Sequence, residues 1–276
     1  MDNHTVDMVL KVIPVVALLV VLAVVVVRHQ SARQQQVQGV KWLQAIRMLL
    51  THIQRHRGLS SGFLSGDRSL ASQMEETQRQ VSRDFTHITA VGEWVKTHQG
   101  WQSITQHWAR LAGNVMSLPV DRAIDQHNRL IKNLLVFVDD VASAHHLMVM
   151  SGAKSNIWRE LLTLAELVGQ ARATGTAMSA AGSTPGSTQF EKSQKTLQVL
   201  NATILNTLEA PRCRANIDAD NLQNILNFLA YIDTHLLQEG PVVSAKEFYN
   251  VATKTLDRLY ERFDFELSRV NRRLEH

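Results

Sequence analysis

The sequence predicts an all-α protein in which an N-terminal transmembrane helix precedes a double helical-bundle domain. Apolar residues recur at three- and four-residue steps along most of the 276-residue chain, while its five prolines and thirteen glycines lie mostly between those periodic stretches. No segment alternates with the two-residue period of a strand. With 45% hydrophobic and 20% charged residues, the chain is long enough for one large or two small helical cores.

The first predicted element is a membrane anchor over residues 1–30. An uninterrupted apolar run extends from Val12 to Val27, and three further apolar residues precede Lys11. Residues 8–27 as a helix are about 30 Å long, enough to cross the hydrocarbon core of a bilayer. No small-x-small cleavage site follows the run, so the pattern favours a retained anchor over a cleaved signal peptide.

The charges around the run predict a cytoplasmic location for the rest of the chain. Basic residues follow the run at four positions: Arg28, Arg33, Lys41 and Arg47. Only Lys11 and the terminal amine precede it, beside Asp2 and Asp7. The positive-inside rule then keeps residues 33–276 in the cytoplasm, although long domains also cross membranes regardless of flanking charge, which leaves a periplasmic location open.

Residues 33–276 are predicted to form about seven or eight helices in two stacked bundles that share their longest members. The predicted helices cover about residues 33–65, 72–96, 101–118, 120–150, 155–181, 188–208, 222–237 and 244–270. Capping boxes are indicated by Ser72 with Glu75, Thr188 with Glu191, and Ser244 with Glu247. Breaks are indicated at Gly66–Asp67, Ser151–Gly152, Gly182–Gly186, Pro211–Asp220 and Gly240–Pro241.

Two of these helices carry an arginine on the face that should be buried. In the first, the apolar stripe runs through Leu43, Ile46, Leu50, Ile53, Arg57, Ser60 and Leu64. In the helix from about Ser155, a face of mostly small residues carries Arg172. Two inward guanidinium groups repel each other unless an anion lies between them, and a planar oxyanion suits their paired donors. Ser60 and Thr174 are further candidate donors.

The same arginines have a purely structural interpretation. Each guanidinium would then pair with a carboxylate of the bundle, for which the candidates are Glu160, Glu166, Asp257 and Glu261. Buried charges in proteins are usually paired in this way. Periodicity alone does not distinguish a ligand site from a tethered helical scaffold whose arginines form internal salt bridges.

A resemblance adds to this interpretation. The segment Ile53–Leu64, which reads IQRHRGLSSGFL, resembles the first signature of the bacterial nitrate- and nitrite-sensing domain; Leu167–Arg172 and Phe248–Asp257 are similar to its later helices. The resemblance implies an all-helical double bundle that binds nitrate or nitrite through Arg57 and Arg172, with Arg55 as a further candidate.

Two positions depart from the family pattern. His56 stands where the family has an acidic residue, and Ala173 stands where it has a glycine. The histidine is expected to make the pocket more positive at low pH, which also makes it a candidate ligand-binding residue. The alanine is expected to narrow the gap between the helices.

Other chemistries lack their signatures. His52 and His56 are one helical turn apart, but no HExxH pattern or cysteine cluster accompanies them, since Cys213 is the single cysteine. The net charge of +4 is spread along the helices without an aromatic stacking platform, so nucleic-acid binding is not expected. No phosphate-binding glycine loop or nucleophile motif is present, and neither an enzyme nor a cofactor is expected.

Together, these observations predict a single-pass protein of the bacterial inner membrane that senses nitrate or nitrite. Binding would move helices and signal to a separate output protein, and a homodimer is plausible through the anchor and the helix that follows it. The alternatives are the tethered scaffold and a helical sensor for an organic ligand such as an amino acid.

Overall fold

The computed structural model describes residues 3–147, 157–182, 185–238 and 241–275, and all regular secondary structure in these ranges is helical, as predicted. The helices are α1 (Asn3–Leu64), α2 (Ala71–Val91), α3 (Trp94–Thr97), α4 (Gln99–Asn114), α5 (Val120–Ala144), α6 (Ile157–Ala180), α7 (Thr188–Glu209), α8 (Pro211–Asn216), α9 (Ala219–Ile232) and α10 (Ala245–Glu275). Short 3-10 turns occupy Arg68–Leu70 and Val115–Ser117, and a π-helical turn occupies Asp233–Leu237.

Helix α1 joins the apolar N-terminal run to the bundle without a break. It has 62 residues, which corresponds to a length of about 93 Å. Its apolar side chains between Val16 and Val27 are exposed, whereas Leu43, Ile46 and the rest of the predicted stripe are buried. Among the described residues, α1 is the one helix long and apolar enough to cross a membrane. It ends where Gly66 adopts a φ of +123°, a conformation that glycine tolerates best.

The bundle is organised around α1. One side of α1 packs against α2 and α5, and α4 covers α5. The other side packs against α6 and α10, with α7 on α6 and α9 on α10. A continuous apolar core runs through both groups, and its largest fully buried aromatic side chains are Trp42, Phe137, Phe228, Phe248 and Phe263. The long helices α1 and α6 therefore meet where the two groups join.

Two of the three predicted capping boxes are wrong in detail. Asp67 caps a 3-10 turn by accepting the N–H of Ser69 at 3.1 Å, so α2 already begins at Ala71 and Ser72 lies inside it. Ser187, rather than Thr188, caps α7 by accepting from Phe190 N. The cap at Ser244 is confirmed, since its Oγ accepts from Glu247 N at 3.2 Å.

Some predicted boundaries also shift. Helix α5 ends at Ala144 instead of continuing towards Met150, and the connection predicted over Pro211–Asp220 contains α8, with the proline in its first turn. Gly182 and Gly186 have positive φ, as a loop requires. The predicted turn at Ser151–Gly152, Met150 itself and Gly240 lie outside the described residues.

Candidate functional site

The two predicted arginines cross the seam between α1 and α6 in opposite directions. A Cβ added to Gly169 of α6 would lie 2.6 Å from Nη2 of Arg57, and one added to Gly58 of α1 would lie 3.4 Å from Nε of Arg172. The guanidinium of Arg57 thus occupies space that Gly169 leaves free, whereas at Gly58 the nearest atom is Cε2 of Tyr249 at 2.9 Å and Arg172 is in ordinary contact. Both side chains are buried, with Arg57 0% and Arg172 3% exposed.

The guanidinium of Arg57 is neutralised by a carboxylate. Its Nη1 donates to Glu166 Oε1 at 2.6 Å and its Nη2 to Glu166 Oε2 at 3.1 Å. Nη1 also donates to Asn128 Oδ1 of α5 at 2.6 Å. Gln54 and Gln170 donate to the same carboxylate at 2.9 and 2.8 Å. One of the carboxylates in the structural interpretation, Glu166, is therefore the partner of Arg57.

Arg172 has a different environment. It forms no salt bridge with any carboxylate of the described residues; its Nη1 donates to the hydroxyl of Thr253 at 2.9 Å. The guanidinium carbon lies 4.9 Å from the centre of the Tyr249 ring, a distance typical of a cation–π contact. Nε of Arg172, Nε of Arg57 and the hydroxyl of Tyr249 are buried without a hydrogen-bond partner in the described structure.

The electrostatics of the seam are therefore unbalanced. Two buried guanidinium groups share one buried carboxylate, so Arg172 is left without a salt bridge among the described residues. Burial is the largest effect on the pKa of Arg172 and lowers it from its ordinary value; the charge of Arg57 also lowers it, while Tyr249, Tyr260 and Asp257 oppose the shift. Arginine nevertheless keeps its proton in proteins, so the charge persists and an anion placed beside it would be stabilised.

His56 lies behind Arg57 and contacts a second histidine that the sequence did not single out. Its Nδ1 is 2.8 Å from Nε2 of His127, whose own Nδ1 is 2.6 Å from the carbonyl oxygen of Ala123. This geometry fits two neutral rings, each donating from Nδ1. Burial lowers the pKa of His56 to about 4, so the expected positive charge on this side chain appears only in strongly acidic conditions.

The remaining predicted site residues have different positions. Arg55 is exposed on α1. The hydroxyl of Ser60 donates to the carbonyl of Arg57 at 3.1 Å. Thr174 is partly exposed and lines a cavity of about 250 Å³ between α5, α6 and α7. Ala173 is buried, and its carbonyl accepts from Ser61 Oγ of α1 at 3.0 Å.

The cavity that Thr174 lines adjoins the arginine network. Asn128, which binds Arg57, and Gln170, which binds Glu166, also line it. At its edge, Lys192 of α7 pairs with Asp121 of α5. Both members of that pair are about half exposed, and an exposed ion pair of this kind contributes little to stability.

Several residues of the network were not predicted from the sequence as site residues. Glu166 lies three residues before Gly169 and six before Arg172, which places all three on one face of α6. That spacing is the signal that distinguishes Glu166 from the other candidate carboxylates. Asn128, Tyr249 and Thr253 give no comparable signal, because they come from helices distant in the sequence.

The predicted histidine pair also separates in the structure. Nδ1 of His52 lies 2.6 Å from Asp84 of α2, whereas His56 turns towards α5. Within the described residues, no group of three or more histidine, cysteine, aspartate or glutamate side chains is arranged to hold a metal ion.

Comparisons with known proteins were made with the sequence and with the structure. A family profile described as nitrate and nitrite sensing matches residues 48–262, which is most of the chain. The solved structure titled "Structure of the NasR transcription antiterminator" has the same overall fold, with a TM-score of 0.66 and 16% sequence identity over 92% of this chain and 74% of that one. The search of curated proteins gave no match.

Proposed function

This chain belongs to the nitrate and nitrite sensing family, and on that premise we propose that it binds nitrate or nitrite between α1 and α6 through Arg57 and Arg172. Binding changes the packing of these helices, and a separate output protein receives the change. The chain itself acts as a sensor and carries out no chemical reaction on the anion.

The observation that carries the proposal is the uncompensated charge of Arg172. Its guanidinium is 3% exposed, forms no salt bridge with a described carboxylate and has a buried Nε without a partner. An isolated buried charge costs several kcal/mol. A bound monovalent anion removes that cost, whereas a neutral ligand would leave it in place.

Arg57 then orients the bound anion through a hydrogen bond more than it adds positive charge to the site. Glu166 already neutralises it through Nη1 and Nη2, but its Nε remains free. An anion between the helices would accept from Nε of Arg57 and Nε of Arg172. Nitrate and nitrite present several oxygens in one plane, which matches two planar donors. His56 and Ser60 support the site from behind without donating to the anion, and Arg55 adds positive potential from the surface.

The signal follows from a difference in affinity. An anion shifts the packing of α1 against α6 only as far as it binds one arrangement more tightly than the other. Without it, the two guanidinium groups repel each other across the seam. With it, the seam closes, and α1 carries the displacement along its length because no turn interrupts it.

We also propose the placement of the chain at the membrane. Residues 1–30 anchor it in a bacterial inner membrane by a single span over residues 8–27, and residues 33–276 form the sensing domain in the cytoplasm. A homodimer through α1 is part of the proposal. Fusions of alkaline phosphatase after His276 test the orientation: an inactive fusion supports a cytoplasmic domain, and an active one places the domain in the periplasm.

The decisive experiment uses the full chain in lipid nanodiscs. Tryptophan fluorescence follows thermal unfolding with nitrate, nitrite, chloride or no added anion, and calorimetry measures binding. Nitrate or nitrite is expected to raise the unfolding temperature, and both Arg57→Met and Arg172→Met are expected to abolish that rise. A saturable response to an amino acid alone, without a response to either anion, would instead support the organic-ligand sensor.

The two variants also separate the sensor from the scaffold. Without anion, Arg57→Met strands Glu166 and destabilises the fold by about 3–5 kcal/mol. Arg172→Met removes an uncompensated charge, and replacing such a charge by an apolar group is often neutral or stabilising. The Arg57–Glu166 salt bridge favours the scaffold as the second candidate function. That function requires both variants to be destabilised and no anion to have any effect.

A further inference from the structure

A basic groove lies between α4 and α5, on the outer surface of the bundle. Four exposed cationic side chains line it: Arg110, Arg122, Arg129 and Lys132. The groove has a volume of about 810 Å³ and no acidic lining residue. His107 of α4 and Gln126 of α5 meet across it at 2.9 Å.

These cations are set apart by their position, because all four line one groove that has no acidic lining residue. None of the four forms a salt bridge with a carboxylate of the described residues. Some other exposed cations are paired, such as Arg79 and Arg83 with Glu76, whereas others, such as Lys195 and Arg212, also lack a salt bridge within the described residues. Four cations that face one groove repel one another, and an anionic partner would remove that repulsion.

Two leucines lie at the base of the groove, among polar lining residues that include Asn114 and Gln126. Leu111 is buried and Leu118 partly buried at its base. This leucine-containing base between basic rims fits an amphipathic helix that presents leucine-like side chains inwards and carboxylates along its flanks. We propose that the α4–α5 groove docks an acidic amphipathic segment of a partner protein.

Two other anionic partners fit the groove less well. Asn128, beside Arg129, contacts Arg57, which lies 30 residues beyond Val27 in the continuous helix α1, or about 45 Å along its axis. Electrostatic attraction from lipid headgroups is screened within about 10 Å. RNA is recognised largely by stacking on aromatic side chains; the residues that line the groove include no Phe, Tyr or Trp, and its one histidine, His107, is engaged by Gln126.

Helix α5 connects this groove to the anion site. On its inner face, His127 contacts His56 and Asn128 contacts Arg57. The neighbouring residues Gln126 and Arg129 line the groove on its outer face. A shift of Arg57 would therefore move one wall of the groove. This coupling rests on the proposed function, whereas the docking surface itself does not.

The test measures binding of defined probes to the full chain in nanodiscs of neutral lipid. The probe is a fluorescein-labelled peptide of about 20 residues in which glutamate and leucine alternate with helical periodicity. A peptide of the same composition in scrambled order and a single-stranded RNA of about the same length serve as comparisons. Fluorescence anisotropy gives the dissociation constants between about 50 and 200 mM salt.

The matched variants reverse three charges each. We expect the triple variant Arg110→Glu/Arg122→Glu/Arg129→Glu to bind the amphipathic peptide about tenfold or more weakly than the parent protein does. The control Lys195→Glu/Arg212→Glu/Arg214→Glu reverses three exposed cations on α7 and α8 and should leave the affinity within about twofold. If the groove triple fails to fold, Arg110→Gln/Arg122→Gln/Arg129→Gln repeats the test without reversing charge.

Three results would overturn the proposal: equal binding of the scrambled and amphipathic peptides, tighter binding of the RNA with the same dependence on the groove residues, or equal losses in the groove and control triples. All measurements are made without nitrate and then with saturating nitrate. A groove-dependent peptide affinity that nitrate leaves unchanged would refute the coupling through α5 while the docking surface stands. Loss of nitrate binding with intact peptide binding would refute the proposed function alone.

Discussion

The substitution Glu166→Gln tests the charge balance of the seam most directly. Glu166 is 7% exposed and is the anionic member of a group that contains two buried guanidinium side chains. Glutamine keeps the size of the side chain and one oxygen acceptor but removes its charge. The seam then changes from one uncompensated positive charge to two.

The expected magnitude follows from the loss of a buried partner. Leaving a buried charge without its counter-ion costs about 3–5 kcal/mol. In a domain of this size, 1 kcal/mol corresponds to about 2–4 °C of unfolding temperature, so the variant should unfold about 6–20 °C lower in anion-free buffer.

Nitrate should recover most of that loss. Because Glu166 competes with the anion for Arg57, its neutralisation should strengthen nitrate binding. A ligand at a thousand times its dissociation constant stabilises by about 4 kcal/mol. The rise in unfolding temperature with nitrate should therefore be larger in Glu166→Gln than in the parent protein.

The assay is tryptophan fluorescence during heating of the full chain in nanodiscs, with and without nitrate, combined with calorimetry for the affinity. Glu209→Gln, an exposed position at the end of α7, is the matched control and should change neither quantity. The reasoning is refuted if Glu166→Gln is as stable as the parent protein in anion-free buffer, or if its response to nitrate is no larger.

Three further predictions concern other parts of the chain. Gly169→Ala places a methyl group 2.6 Å from Arg57 Nη2, so nitrate affinity should fall by about tenfold or more. Gly113→Ala, with open space around its Cβ, should instead stabilise the fold by about 0.5–1 kcal/mol. An equal loss of nitrate affinity in the two variants would contradict this explanation. Burial lowers the pKa of His56 to about 4, whereas the same histidine in the unfolded chain has a pKa of about 6.5. As the pH falls from 6.5 to 4, the unfolded chain therefore binds a proton that the folded chain does not, and the free energy of unfolding should fall by about 3 kcal/mol. Thermal unfolding across this range should depend less on pH in His56→Gln, and an unchanged pH dependence would contradict the explanation. Burial also raises the pKa of the Cys213 thiol to about 11, so a thiol reagent should label it only upon unfolding, which a labelling time course with and without denaturant decides.

The sequence predicted the helices and the buried face of α1 because helical periodicity is a local property. Arg57 was identified as inward-facing because it continues a stripe of leucine and isoleucine residues, and its exposure of 0% confirms this. Arg172 was identified from the small residues around it, and it too is buried. The role of both as anion ligands remains a proposal.

The partners of these arginines could not be predicted in the same way. Glu166 lies 109 residues from Arg57, and Thr253 lies 81 residues from Arg172. Such contacts depend on how helices are rotated and crossed, which periodicity does not determine. The capping prediction at Ser72 failed for a related reason, because a competing cap at Asp67 began the segment earlier.

The continuity of helix α1 has a mechanical consequence for the proposed membrane span at its N-terminal end. A rod without a hinge transmits rotation undiminished, and its far end moves in proportion to its length. Over the 30 residues from Arg57 to Val27, a tilt of about 5° displaces the end of the rod by about 4 Å. A tilt of a few degrees at the arginines thus becomes a displacement of several ångströms at Val27, where the proposed membrane span ends.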